Sequence, residues 1–290
     1  MNSGDTIAPR RRTVVLPGRG AGALSILDFG ASDRPVDIVF LHANGFNALT
    51  YRMLLAPLAE RFRILAIDQR GHGGTSLAAE PSGRTDWIDL RDDLLALLAS
   101  LDLGAVVLAG HSMGGTVSLL AAAQAPERAR RLVLFDPVIL PERHDPSASA
   151  RSPLVLGALR RRAIFPDRGA ARDAYRGRGA FKAWPEAMLS DYVAGGFVDL
   201  PGGEAALACD PRWEASNFTS HGHDSWGALR SSLCPIEILR AEHDSTCRFE
   251  GLASAADRIH VETIPGTTHF LPMERLDLAR AALAEAAGLK

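Results

Sequence analysis

The 290-residue sequence is short of cysteine and of net charge. Its three cysteines, Cys209, Cys234 and Cys247, are odd in number and lack C-x-x-C spacing. A disulfide framework and a metal site of that type are excluded, no metal is expected, and a reducing, cytoplasmic compartment is the natural fit. Charge is also nearly absent in the net: 32 Lys and Arg stand against 34 Asp and Glu, for a total of -2. Nucleic acid as the main partner would need a strong basic excess. No apolar run approaches the roughly 18 residues of a membrane-spanning helix. The N-terminal segment carries positive charge at residues 10–12 but no apolar stretch follows it, so a secretory signal is not expected.

What is present is an alternation of short apolar runs and helical patterns. Thr13–Leu16 and Leu24–Phe29 flank a Pro/Gly turn cluster and read as a hairpin, after a mobile tail over 1–12. Val36–Leu41 and Arg63–Ile67 read as buried strands, with a helix over 51–61 between them. A second helix is expected over 85–101, with Thr85 as N-cap. Val106–Ala109 is a further buried strand, and Thr116–Ala123 reads as helix. Arg131–Phe135, Ile236–Arg240 and His260–Ile264 are later strands, with helices over 250–257 and 277–287. Strand and helix in alternation call for a mostly parallel sheet covered on both faces.

Between strand Val106–Ala109 and the helix lies Gly110-His111-Ser112-Met113-Gly114, a G-x-S-x-G match. In a strand–turn–helix context this pattern exposes the serine hydroxyl on a strained turn, and its glycines avoid collisions with neighbouring backbone. The helix that follows aims free N–H groups at the same point, which suits a developing oxyanion. Serine needs a base and an orienting carboxylate. Ser112, Asp244 and His269 each follow a strand, and strand ends on one edge of a parallel sheet converge.

The rhythm breaks over 137–232, where proline and glycine recur among short helical patterns. This stretch reads as an inserted, mainly helical lid. Residues 143–182 hold ten Lys/Arg against three acids, and 186–224 hold seven acids against one Arg. The two halves either face each other or form a basic mouth that draws in anionic substrate. Trp184, Trp213 and Trp226 are expected in the lid's core, and His221 and His223 lack a third ligand at metal spacing.

Five segments in this order, LHANGF at 41–46, DQRGHGGTS at 68–76, GHSMGG at 110–115, RAEHD at 240–244 and GTTHFLP at 266–272, resemble the α/β-hydrolase superfamily over about residues 13–288. The resemblance implies an α/β fold: a mostly parallel eight-stranded sheet with helices on both faces, a core of 13–136 and 233–288, and a lid over 137–232. It makes Ser112 the nucleophile, His269 the base and Asp244 the orienting acid, with Asp136 as the alternative acid. The backbone N–H groups of Asn44 and Met113 become the oxyanion donors, although members usually carry His-Gly where this chain has His42-Ala43. Phe46, His111 and Phe270 are expected pocket residues.

The function expected is cofactor-independent hydrolysis of a small-molecule carboxylic ester, thioester or lactone through an acyl-enzyme. Carbon–carbon bond hydrolysis on the same triad and a ligand-binding protein without turnover are the alternatives. A homodimer is left open by the sequence.

Overall fold

In the computed structural model the described residues are 8–142, 152–249 and 257–288. The expected helix over 250–257, and Arg143 and Arg151 of the basic half, therefore fall largely or wholly outside them. The first strands are β1 (Arg10–Val14), β2 (Leu24–Phe29), β3 (Ile38–Leu41) and β4 (Ile64–Asp68). After α1 (Ile88–Ser100) come β5 (Val106–His111), α2 (Met113–Gln124) and β6 (Ala129–Phe135). The inserted stretch contributes α3 (Pro153–Leu159), β7 (Ile164–Phe165), α4 (Arg168–Tyr175), α5 (Glu186–Gly196), β8 (Phe197–Asp199), β9 (Ala205–Leu207), α6 (Pro211–Thr219) and α7 (Ser225–Ser231). The core closes with β10 (Ile236–Ala241), β11 (Ile259–Ile264) and α8 (Leu276–Gly288).

Eight strands form one sheet in the order β1-β2-β4-β3-β5-β6-β10-β11. β2 is antiparallel to both β1 and β4, and the other neighbours are parallel. The central strands are apolar throughout because both faces are covered. Their side chains alternate between two layers. Val39 and Leu41 of β3 join Leu108, Val117 and Leu97 on one face, while Ile38 and Phe40 join Tyr51, Phe135 and Leu283 on the other. No described helix is long and apolar enough to cross a membrane.

Several expectations need correction. Residues 10–12 are not tail but strand: Arg11 reaches Asp68 at 2.7 Å, and Arg10 and Arg12 both reach Asp28 at 3.2 Å. Both acids are buried, and Asp28 is held below the usual carboxylate range although burial alone would raise it, because Arg63, Arg12 and Arg10 surround it. The helix expected over 51–61 is broken into short turns over 48–58, where Pro57 stands at the start of the last one. Helix α1 begins at Ile88, three residues late, because the Asp86 carboxylate accepts the Ile88 N–H at 3.0 Å and ends the preceding turn there. The described part of the inserted stretch is mainly helical, as its five helices show, and β7, β9 and β8 add a small antiparallel sheet that the sequence reading lacks. Its strands are two or three residues long, too short for periodicity to reveal.

Candidate active site

Ser112 stands between β5 and α2 at φ 56°, ψ −121°, the left-handed half of the map that side chains rarely adopt. The strain is held by close packing. A Cβ on Gly110 would come within 2.4 Å of the Gly114 carbonyl carbon, and one on Gly114 within 2.3 Å of the Leu41 oxygen. Ser112 N–H donates to the Phe135 carbonyl at 3.0 Å, which fixes the turn to β6. Its hydroxyl does not cap α2. The first-turn N–H groups of that helix, Met113 included, lack intrahelical acceptors. Gly114→Ala is expected to leave little soluble protein, since the overlap is with backbone that neither β3 nor α2 can yield. Soluble Gly114→Ala with an unchanged Tm would contradict that packing argument.

The Ser112 hydroxyl lies 3.0 Å from His269 Nε2, and His269 Nδ1 lies 2.6 Å from Asp136 Oδ2. The acid beside His269 is thus Asp136, at the end of β6, and not Asp244. Asp136 is fully buried at φ 42°. Its Oδ1 accepts from Ala241 N–H at 2.9 Å and Ser245 Oγ at 2.5 Å, and its Oδ2 accepts from Thr246 N–H at 3.0 Å. Burial opposes the charge, but the bonds from His269, Ser245 and Ala241 outweigh it and hold the carboxyl below its usual range. Asp244 is exposed at φ 53° in the turn after β10. That turn serves the site differently: Ser245 and Thr246, the next two residues, donate to Asp136.

Over 43–46 the backbone is held from several sides. Ala43 N–H donates to Tyr51 Oη at 3.1 Å, Gly45 N–H to His72 Nε2 at 3.1 Å, and Phe46 N–H to the Ala43 carbonyl at 3.1 Å. Among the described residues, no acceptor is bonded to the Asn44 N–H. The Asn44 side chain is fastened to α6: it donates to the Glu214 carbonyl at 2.9 Å and accepts from Asn217 Nδ2 at 2.9 Å. His42 and His72 pack edge to face beneath this turn. Burial lowers the pKa of both, so they serve as neutral acceptors.

A cavity of about 380 Å³ opens over Ser112, His269, Asn44 and Met113. Phe46 and Phe270 line it, together with Trp87, Leu140, Leu154 and Phe218. His111 does not. It is fully buried behind Ser112, and its Nε2–H donates to the His269 carbonyl at 2.7 Å. Glu214 and His221 add polar groups to the lining, a signal that sequence spacing did not carry. Of the expected basic mouth, Arg161 is turned inward: it pairs with Glu214 at 2.5 Å and donates to the hydroxyls of Tyr192 and Tyr175 at 2.5 and 3.1 Å. Arg162 is exposed and lies over the Phe165 ring. No Lys or Arg lines the cavity among the described residues. Trp213 and Trp226 are buried, their indole N–H groups bonded to the Arg70 and Leu140 carbonyls. Trp184 is half-buried against Phe46 and Phe181.

This architecture agrees with what the chain is similar to. The model of the alpha/beta hydrolase family matches residues 38–286, and the chain belongs to that family. It is 29% identical over 241 residues to 2-(acetamidomethylene)succinate hydrolase of Mesorhizobium japonicum, covering 81% of each chain. It is 31% identical over 112 residues to 3-oxoadipate enol-lactonase 2 of Acinetobacter baylyi, covering 39% of this chain and 40% of that one. The crystal structure of E-2-(acetamidomethylene)succinate hydrolase superposes with a TM-score of 0.77 at 23% identity, over 97% of this chain and 99% of that one, a likeness of fold.

Proposed function

We propose that this hydrolase is a serine esterase acting on esters, thioesters or lactones of neutral, apolar acids. The observation that carries the reading is the line Ser112 Oγ–His269–Asp136, at 3.0 and 2.6 Å, under an apolar cavity. His269 takes the Ser112 proton as the hydroxyl attacks the carbonyl carbon. Asp136 accepts the Nδ1–H, fixes the tautomer and stabilises the imidazolium that forms. The N–H groups of Met113 and Asn44 receive the oxyanion. His269 then returns the proton to the leaving alcohol, and an acyl-enzyme is left. Water, deprotonated by the same histidine, releases the acid. These steps need no cofactor. The stretch 137–232 serves as the lid that shapes the acyl pocket, and Asn217 on α6 ties it to the oxyanion turn.

The relative from Mesorhizobium japonicum acts, by its name, on a substituted succinate. A dicarboxylate in this cavity would meet the Glu214 carboxylate, whose countercharge Arg161 is already paired with it, and no Lys or Arg among the described lining residues. Burying an unpaired carboxylate is costly. The test is a panel of p-nitrophenyl esters from acetate to decanoate, with p-nitrophenyl hemisuccinate as the charged control. Neutral esters of medium length are expected to exceed the hemisuccinate in kcat/KM by about 100-fold, the scale of one uncompensated buried charge. Preference for the hemisuccinate would reverse the assignment of substrate charge. Turnover of β-diketones with none of the esters would move the reading to carbon–carbon bond cleavage.

A further inference from the structure

Behind the cavity, out of reach of substrate, a chain of hydrogen bonds joins the two halves of the site. Ala43 N–H donates to Tyr51 Oη at 3.1 Å, Tyr51 Oη lies 2.7 Å from His111 Nδ1, and His111 Nε2 lies 2.7 Å from the His269 carbonyl. The proton positions are forced. A carbonyl only accepts, so His111 Nε2 carries the hydrogen; in a neutral ring Nδ1 then accepts, so Tyr51 donates. Tyr51 Oη is left with a lone pair for the Ala43 N–H. Both side chains are buried, and Tyr51 is wedged against Phe40 with ring centroids 4.8 Å apart. Burial, the largest effect, and the neighbouring His269 push the His111 pKa down to about 3, so the ring stays neutral and the direction of the chain is kept.

We propose that Tyr51 and His111 are positioning residues that set the separation between the base and the oxyanion donor. One end of the chain holds the peptide next to Asn44 N–H, and the other holds the backbone of His269 itself. The serine and its helix are fixed by packing, as the overlaps at Gly110 and Gly114 require. The base and the oxyanion turn sit on separate loops and need a tie of their own. This inference rests on the serine-hydrolase reading, and an ångström-scale error in either group costs on the order of 100-fold in rate.

The test is the rate of phosphonylation by a fluorophosphonate, measured as kinact and KI, on the wild type, Tyr51→Phe, His111→Leu, His111→Gln and the Tyr51→Phe/His111→Leu pair. Each single break is expected to lower kinact by about 10- to 100-fold while KI stays within about twofold. The double variant should lose no more than the worse single one, because the two residues act in one chain. His111→Gln, whose amide keeps one donor and one acceptor, should recover most of the loss seen with leucine. A merely structural role would not separate glutamine from leucine at matched Tm. Unchanged kinact in Tyr51→Phe and His111→Leu, or losses that multiply in the pair, would overturn the proposal while a labelled wild type left the triad standing. A wild type that is not labelled at Ser112 would overturn both.

Discussion

Asp136→Asn is expected to lower turnover by about 10,000-fold, while Asp244→Asn stays within about twofold of the wild type. The asymmetry follows from what each carboxylate touches. Both Asp136 oxygens are occupied by donors: Ala241 N–H and Ser245 on one side, Thr246 N–H and His269 on the other. An amide nitrogen placed on either side meets a donor rather than an acceptor, and the His269 tautomer is no longer held. Asp244 is exposed, in the turn beyond. Steady-state kinetics of the two variants decide the point, and equal losses would mean that Asp244 also acts on the base.

Stability carries a second signature of the same carboxylate. Asp136 titrates below its unfolded value of 3.8 in the folded protein. Its contribution is therefore complete above that pH and is lost as the pH falls through the lower folded value. Acid denaturation of Asp136→Asn should lack this component. A wild-type and variant pair with parallel acid profiles would contradict the ionised, hydrogen-bonded state of the buried carboxylate.

Ser112→Ala is expected to reduce turnover by about a million-fold, the scale seen when a triad nucleophile is removed, with the Tm within about 2 °C of the wild type. The hydroxyl makes its bond to His269 and does not cap α2, so the fold gives up little when it is deleted. The backbone strain at φ 56° is held by Gly110 and Gly114 and is the same with alanine. A large fall in Tm would mean that Ser112 is structural.

The parts of the site that could be read from sequence are those fixed by local geometry. Gly110 and Gly114 announce a tight turn at Ser112, and the alternation of strands puts His269 at the same sheet edge. The acid could not be read this way. Asp136 and Asp244 follow neighbouring strands, β6 and β10, and both take positive φ. What separates them is the direction of the turn after β10, which folds Ser245 and Thr246 over Asp136. His111 adjoins Ser112 and so reads as a pocket residue, but it closes β5 inside the sheet, whereas Ser112 stands in the turn at φ 56°, and the His111 ring is buried. Arg10–Arg12 looked like a solvated terminus because their partners, Asp28 and Asp68, are distant in sequence. The charge of the inserted stretch was legible, its pairing was not: Arg161 meets Glu214 across 53 residues.

Intact-mass and peptide mass spectrometry after fluorophosphonate treatment tests the central claim most directly. One adduct per chain on Ser112, absent from Ser112→Ala and strongly slowed in Asp136→Asn but not in Asp244→Asn, is the result expected of a nucleophile activated through His269 and Asp136. No adduct on Ser112 in the folded wild type, or labelling indifferent to Asp136, would contradict it.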